Sequence, residues 1–160
     1  MRTGRPSRLK TFDYLGLHRY FLTFCTDWRR KYFVDSAAVD LVLSQFLRAA
    51  SSEDFAILVY CFMPDHVHLL VEAVAVTSDC KRFIVRCKQL SAHAYASTFS
   101  SRLWQPNAYE HVVRDDEKTD VVARYILENP VRAGLVQSPL EYPFSGSQTY
   151  RLADLLQGLY

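Results

Sequence analysis

Phe55-Ala-Ile-Leu-Val-Tyr-Cys-Phe-Met63 runs into Pro64-Asp65 and then into His66-Val-His-Leu-Leu-Val-Glu-Ala-Val74. Two runs rich in apolar, β-branched and aromatic residues on either side of a two-residue turn signal read as a hairpin, one strand over 55–63 and its partner over 66–74. On its N-terminal side Ala38, Val39, Leu41, Val42, Phe46 and Leu47 recur at helical spacing, with Ser36 placed to cap them, so a helix is predicted over about 36–51. His18-Arg-Tyr-Phe-Leu-Thr-Phe-Cys-Thr26 before that helix is again strand-like. On the C-terminal side Asp79 opens a long amphipathic helix to about Phe99, with Phe83, Ile84, Cys87, Leu90 and Tyr95 among its apolar positions. Trp104 to Asn107 reads as a loop and Tyr109 to Arg114 as a short strand. Asp115-Asp-Glu117 then gives the acidic first turn of a helix that Pro130 interrupts or ends. The order βαββαβα places the chain in the α+β class on the ferredoxin-like split βαβ plan: an antiparallel sheet with helices on one face.

At 160 residues the expected organisation is a single domain, with a basic N-terminal segment over 1–15 and a core over about 16–150. Hydrophobic residues make up 49% and charged residues 22%, enough apolar surface to offset the ordering entropy of folding, which excludes a disordered or fibrous chain. The longest apolar runs, such as Leu69 to Val76, interrupted by Glu72, fall far short of the roughly 20 residues of a membrane span. Met1 to Lys10 is basic but leads into no apolar leader segment, so the expected place of action is the cytoplasm, in association with the bacterial nucleoid. Cys25, Cys61, Cys80 and Cys87 form no CxxC, which excludes a disulfide framework and the common zinc fingers; Cys61 with His66 and His68 matches none of their spacings.

The net charge of +2 hides an asymmetry. Arg2, Arg5, Arg8, Lys10, Arg19, Arg29, Arg30 and Lys31 face only Asp13 and Asp27 within residues 1–31. A second basic group, Lys81, Arg82, Arg86 and Lys88, opens residues 80–109, a stretch without any acid. Brought together in space, the two would form the footprint of a phosphate-backbone binder; held apart, they are a solvated segment and a helix face.

Chemistry has two candidate homes. On a strand, residues two apart project from one face, so His66 and His68 can reach one metal ion while Val67 points to the other face. On a helix Tyr125 and Asn129, four apart, share a face; a phenol is a competent nucleophile beside a cation, and an amide oxygen is a hard ligand for Mg²⁺ or Mn²⁺. Spacing alone favours the plainer alternative, in which Tyr125 packs with Val121, Val122 and Ile126 and Asn129 caps the helix before Pro130. Taken together, two imidazoles and an amide would leave open positions on a divalent ion for a phosphate oxygen, which points to metal-assisted phosphoryl transfer to a tyrosine.

Tyr60-Cys-Phe-Met-Pro-Asp-His-Val-His-Leu-Leu-Val71, Leu103-Trp-Gln105, Tyr109-Glu-His111, Tyr125-Ile-Leu-Glu-Asn-Pro-Val-Arg-Ala-Gly-Leu-Val136 and Tyr142-Pro-Phe-Ser145 resemble, in order, the motifs of the REP-associated tyrosine transposases, relatives of the single-tyrosine HUH transposases that move as single-stranded DNA. The resemblance runs over about 16–150. It departs at Pro106-Asn107, where relatives often carry an arginine. It implies His66, His68 and Asn129 as ligands of Mg²⁺ or Mn²⁺ and Tyr125 as the nucleophile of a single-stranded DNA nicking and joining enzyme that passes through a 5′-phosphotyrosine. It further implies a hairpin or palindromic repeat as DNA partner, no membrane, and a monomer or homodimer as the working unit. The nucleic-acid contacts expected with it are Arg5, Arg8, Arg29, Arg30, Lys31, Lys81, Arg82, Arg86 and Lys88, with Trp104 either stacking on a base or lying in the core. Two other readings compete: a non-catalytic nucleic-acid-binding module derived from a transposase, and a small zinc hydrolase using Asp65 or Glu72 as base.

Overall fold

A computed structural model describes residues 12–113 and 118–158. In chain order these form strand β1 (Arg19–Thr26), helix α1 (Ser36–Ser52), strands β2 (Phe55–Met63) and β3 (His66–Ala73), helix α2 (Cys80–Phe99), strand β4 (Trp104–Val113), helices α3 (Thr119–Leu127) and α4 (Asn129–Arg132), the two-residue strand β5 (Ser145–Gly146) and helix α5 (Leu152–Gln157). The strands lie in the order β4-β1-β3-β2-β5 with every neighbouring pair antiparallel. The first four are the split βαβ arrangement read from the sequence, and β5 extends its edge.

The hairpin forms where its apolar runs put it, with Met63 opposite His66 across Pro64-Asp65. The turn is pinned from the neighbouring segment: the Thr26 amide donates to the Asp65 carbonyl at 3.0 Å and the Phe33 amide to the Pro64 carbonyl at 3.0 Å. Alternation then sorts the side chains. Tyr20, Leu22 and Phe24 of β1 and Val67, Leu69 and Val71 of β3 face the main core with Phe46 of α1 and Phe83 and Cys87 of α2. The other face, with Cys61, Met63 and Leu70, meets Ala123, Ile126 and Leu127 of α3, Leu155 of α5 and Tyr142. The helices of the split βαβ unit thus lie on one face as expected, and the C-terminal helices add a layer over part of the opposite face.

Several local readings shift. The N-cap of α1 is Asp35, whose carboxylate accepts from the Ala38 amide at 3.2 Å, rather than Ser36. Residues 104–107 are the start of β4 and not a loop. Pro106 is admissible there because β4 is an edge strand. Asp115 to Glu117, expected as an acidic first turn, lie outside the described residues; α3 begins at Thr119. Pro130 stands in the first turn of α4, immediately after α3 ends.

Candidate active site

His66 and His68 occupy β3, the centre of the five-strand sheet, so hydrogen-bonded neighbours on both sides fix their backbone. Their Nε2 atoms face each other at 3.1 Å. The outer nitrogens are held: His66 Nδ1–H donates to Asp65 Oδ1 at 2.6 Å, and His68 Nδ1 lies 2.9 Å from the Thr23 hydroxyl on β1. Asp65 thereby leaves the His66 Nε2 lone pair pointing inward, the orientation that partners beyond the ligands impose on ligating imidazoles. Burial pushes the His68 imidazolium down to about 3, helped by the neighbouring His66, Arg132 and Arg29. Burial also lowers His66, against the pull of Asp65. Both rings are therefore neutral and ligand-ready near pH 7. Two nitrogens bound cis to one ion at about 2.1–2.2 Å sit about 3 Å apart, so the spacing fits a single cation.

Tyr125 projects from α3 on the same side of the sheet. Its ring meets Phe21 of β1 edge to face at 6.0 Å between centroids, and Phe21 in turn lies 5.3 Å from the His68 ring. One phenylalanine thus separates the tyrosine from the histidine pair. The Tyr125 side chain is 51% exposed, open to a macromolecular substrate. Arg132 covers one face of its ring at 4.2 Å from the centroid and donates from Nη2 to the Tyr125 carbonyl at 2.6 Å. Asn129 stays with the tyrosine: its Nδ2 donates to the same carbonyl at 3.4 Å, so a ligand role would fall to its amide oxygen. Tyr95, also on a helix with basic residues, is buried in the core and its phenol is pushed up to about 12 by burial, which removes it as a nucleophile. Tyr109, at the rim, meets Phe21 edge to face at 6.2 Å between centroids.

The hydrolase alternative loses its base. Asp65 is spent on His66 and on Arg29, whose Nε donates to Oδ2 at 2.9 Å, and Glu72 is paired with Arg19 at 2.9 Å, four residues along the strand from His68. Cys61 stands opposite His68 on β2, but burial pushes its thiol up to about 11. Among the described residues, no three His, Cys, Asp or Glu side chains converge on a metal position.

The basic residues fall in two groups. Arg29, Arg30 and Lys31 are exposed in the turn after β1, and Arg29 reaches the site through Asp65. Lys81, Arg82 and Arg86 are exposed on the outer side of α2, in the layer on the opposite sheet face; Arg82 is paired with Glu53 at 3.2 Å. Lys88 is half-buried and donates to the carbonyls of Gln105 and Pro106 at 2.7 and 3.1 Å, which makes it a fastener of β4. A single basic patch does not form among the described residues; Arg5 and Arg8 lie outside them. Trp104 is core: 4% exposed, stacked with Phe46, its indole N–H donating to the Ser91 hydroxyl at 2.8 Å. Sequence reasoning missed Thr23, which is found only from strand register, and Arg132, signalled only by standing seven residues after Tyr125.

The family profile described as "Transposase IS200 like" matches residues 15–129. Over 138 residues, 79% of this chain and 77% of the other, the sequence is 25% identical to a Haemophilus influenzae protein named for the REP-associated tyrosine transposases. Over 114 residues, 71% of this chain, it is 25% identical to the REP-associated tyrosine transposase of Escherichia coli K12, of which it spans 65%. A solved REP-associated tyrosine transposase bound to a REP hairpin superposes with a TM-score of 0.75 at 22% identity, covering 97% of this chain and 88% of that one.

Proposed function

Because the chain belongs to the IS200-like transposase family, we propose that it is a metal-dependent enzyme that nicks and rejoins single-stranded DNA through a 5′-phosphotyrosine on Tyr125. The observation that carries this reading is the pair of inward Nε2 atoms 3.1 Å apart, on the sheet face that also presents Tyr125. Mg²⁺ or Mn²⁺, held by His66, His68 and the Asn129 amide oxygen, would supply Lewis-acid charge at the scissile phosphate. The chain's own residues do the rest. The Tyr125 oxygen attacks phosphorus in line, forming the P–Oη bond as the P–O3′ bond breaks, and the phenolic proton is balanced by the one the 3′-oxygen takes up. The guanidinium of Arg132, over the ring face and bonded to the Tyr125 carbonyl, holds the phenol in place for that attack. Attack by another 3′-hydroxyl on the phosphotyrosine reverses the step, so strand joining needs no nucleotide triphosphate.

The substrate we infer is a hairpin or palindromic repeat with an unpaired flank, acted on in the bacterial cytoplasm by a monomer or homodimer. Folded single-stranded DNA from the flanks of its own gene, incubated with the protein and Mg²⁺ or Mn²⁺, tests this. A covalent protein–DNA species should appear on a denaturing gel, map by mass to Tyr125, and vanish in Tyr125→Phe, whose ring keeps its contacts with Phe21 and Arg132. An adduct that persists in Tyr125→Phe or maps to Tyr109 overturns the assignment, and DNA binding without nicking supports the non-catalytic module instead.

A further inference from the structure

The turn after β1 carries a side chain that the catalytic reading does not use. Trp28 is 81% exposed, more than any other large apolar side chain among the described residues. It is presented, not loose. Trp28 and Arg29 are consecutive non-glycine residues with φ of +53° and +55°, a left-handed conformation that is unfavourable for both and persists only where surroundings impose it. Here the Asp27 amide donates to the Leu103 carbonyl at 2.8 Å, the Arg30 amide to Asp27 at 3.2 Å and the Tyr32 amide to Arg30 at 3.0 Å. The buried Thr26 hydroxyl lies 2.7 Å from the Arg30 carbonyl and 2.9 Å from that of Asp65. The indole therefore stands on a backbone fastened from both ends.

The surroundings are cationic. Arg29, Arg30, Lys31 and Arg102 outnumber the carboxylates they meet, Asp27 and Asp65. The position is next to the chemistry: Arg29 holds Asp65, and Asp65 holds His66. An apolar protein surface docking on the indole would have to strip water from these charges without replacing it. A ligand with a flat aromatic face and an anionic backbone meets both features at once.

We propose that Trp28 is the stacking platform for an unpaired base flanking the scissile phosphate, and that Arg30 and Lys31 hold the adjoining phosphates of the same strand. This rests on the nicking reading above, since it takes the strand that Tyr125 attacks as its ligand. Because every base offers a π-face, the subsite selects unpaired over paired DNA more than one base over another.

The chain holds two tryptophans, Trp104 buried and Trp28 open, so quenching of indole emission reports on Trp28. The full chain, without metal, is titrated with a hairpin oligonucleotide carrying an unpaired thymidine flank, and with the same hairpin lacking the flank. Emission should quench with the flanked hairpin only. Trp28→Leu should abolish the quench and weaken binding by about 5- to 150-fold, while Trp28→Phe retains most of the affinity. Wild-type nicking together with undiminished binding by Trp28→Leu overturns this inference and leaves the nicking reading standing. Failure of the wild type to bind any single-stranded DNA overturns both. A change of sedimentation in Trp28→Leu without a change in DNA affinity makes the indole a contact between copies and also overturns it.

Discussion

Asp65 divides its carboxylate between His66 Nδ1 at 2.6 Å and Arg29 Nε at 2.9 Å. Burial opposes its ionisation, but those two partners hold its carboxyl below the usual value, so it is an acceptor at neutral pH. Asp65→Asn keeps the shape and frees His66 to change tautomer or turn. Calorimetric titration with Mn²⁺ should show affinity lower by about 10- to 100-fold, as for other partners of ligating histidines, with little loss of thermal stability. Arg132 is a positioning residue with a similar economy, one guanidinium serving both the ring face and the carbonyl of Tyr125. Arg132→Lys keeps the charge and loses the planar stack. Single-turnover nicking at saturating DNA should slow by about tenfold, with DNA affinity and melting temperature unchanged. At this scale the sequence showed that His66 and His68 share one face of β3, because alternation along a strand needs no tertiary knowledge. It did not show Thr23, whose tie to His68 depends on which strand lies alongside and in which register. Nor did it separate Trp104 from Trp28: both are tryptophans near basic residues, and only packing decides that one is enclosed by Phe24, Phe33 and Phe46 while the other stands in water.

Among elements, the short segment 142–146 binds the edge of the sheet more firmly than its two-residue strand suggests. The Tyr142 hydroxyl donates to the Phe62 carbonyl at 2.6 Å, and the Phe62 amide donates to the Phe144 carbonyl at 2.9 Å. Burial, with the nearby Cys61, raises the Tyr142 phenol well above its ordinary value of 10.0. A group raised in the folded state contributes its stability in full below the unfolded value and loses it as pH rises. The protein should therefore weaken from about pH 10 upward. Tyr142→Phe should cost about 1 kcal/mol at pH 7 in urea denaturation and decline less steeply above pH 10. The Tyr142-Pro-Phe-Ser145 motif was visible in the sequence, but β5 was not, since two residues show no periodicity. Strands β2 and β3 and helix α2 were legible because eight or more residues repeat the pattern of a buried face. The start of β4 was misread because Pro106-Asn107 signals a turn, and only its place at the edge of the sheet, with Lys88 taking up two carbonyls, makes it a strand.

Across the whole molecule the sheet divides two kinds of surface. The face under α1 and α2 is aromatic core; the face under α3 holds the histidine pair and the tyrosine. The basic residues fall in two groups, Arg29 to Lys31 in the turn whose Arg29 reaches His66 through Asp65, and Lys81, Arg82 and Arg86 on the outer side of α2, which makes the salt response selective. Replacing Lys81, Arg82 and Arg86 by serine should leave the log–log salt slope of oligonucleotide binding unchanged, whereas replacing Arg30 and Lys31 should reduce it by about 0.7 for each phosphate no longer neutralised. Fluorescence anisotropy across a salt series reads both. The division also sets how sequence change would be felt. A saturation library scored once for cellular abundance and once for DNA joining should separate along the sheet, with substitutions beneath α1 and α2 lowering both scores together and substitutions around Arg29, Asp65 and Arg132 lowering joining alone. Substitutions of the exposed side chains at 28–31 would then lower joining without lowering abundance.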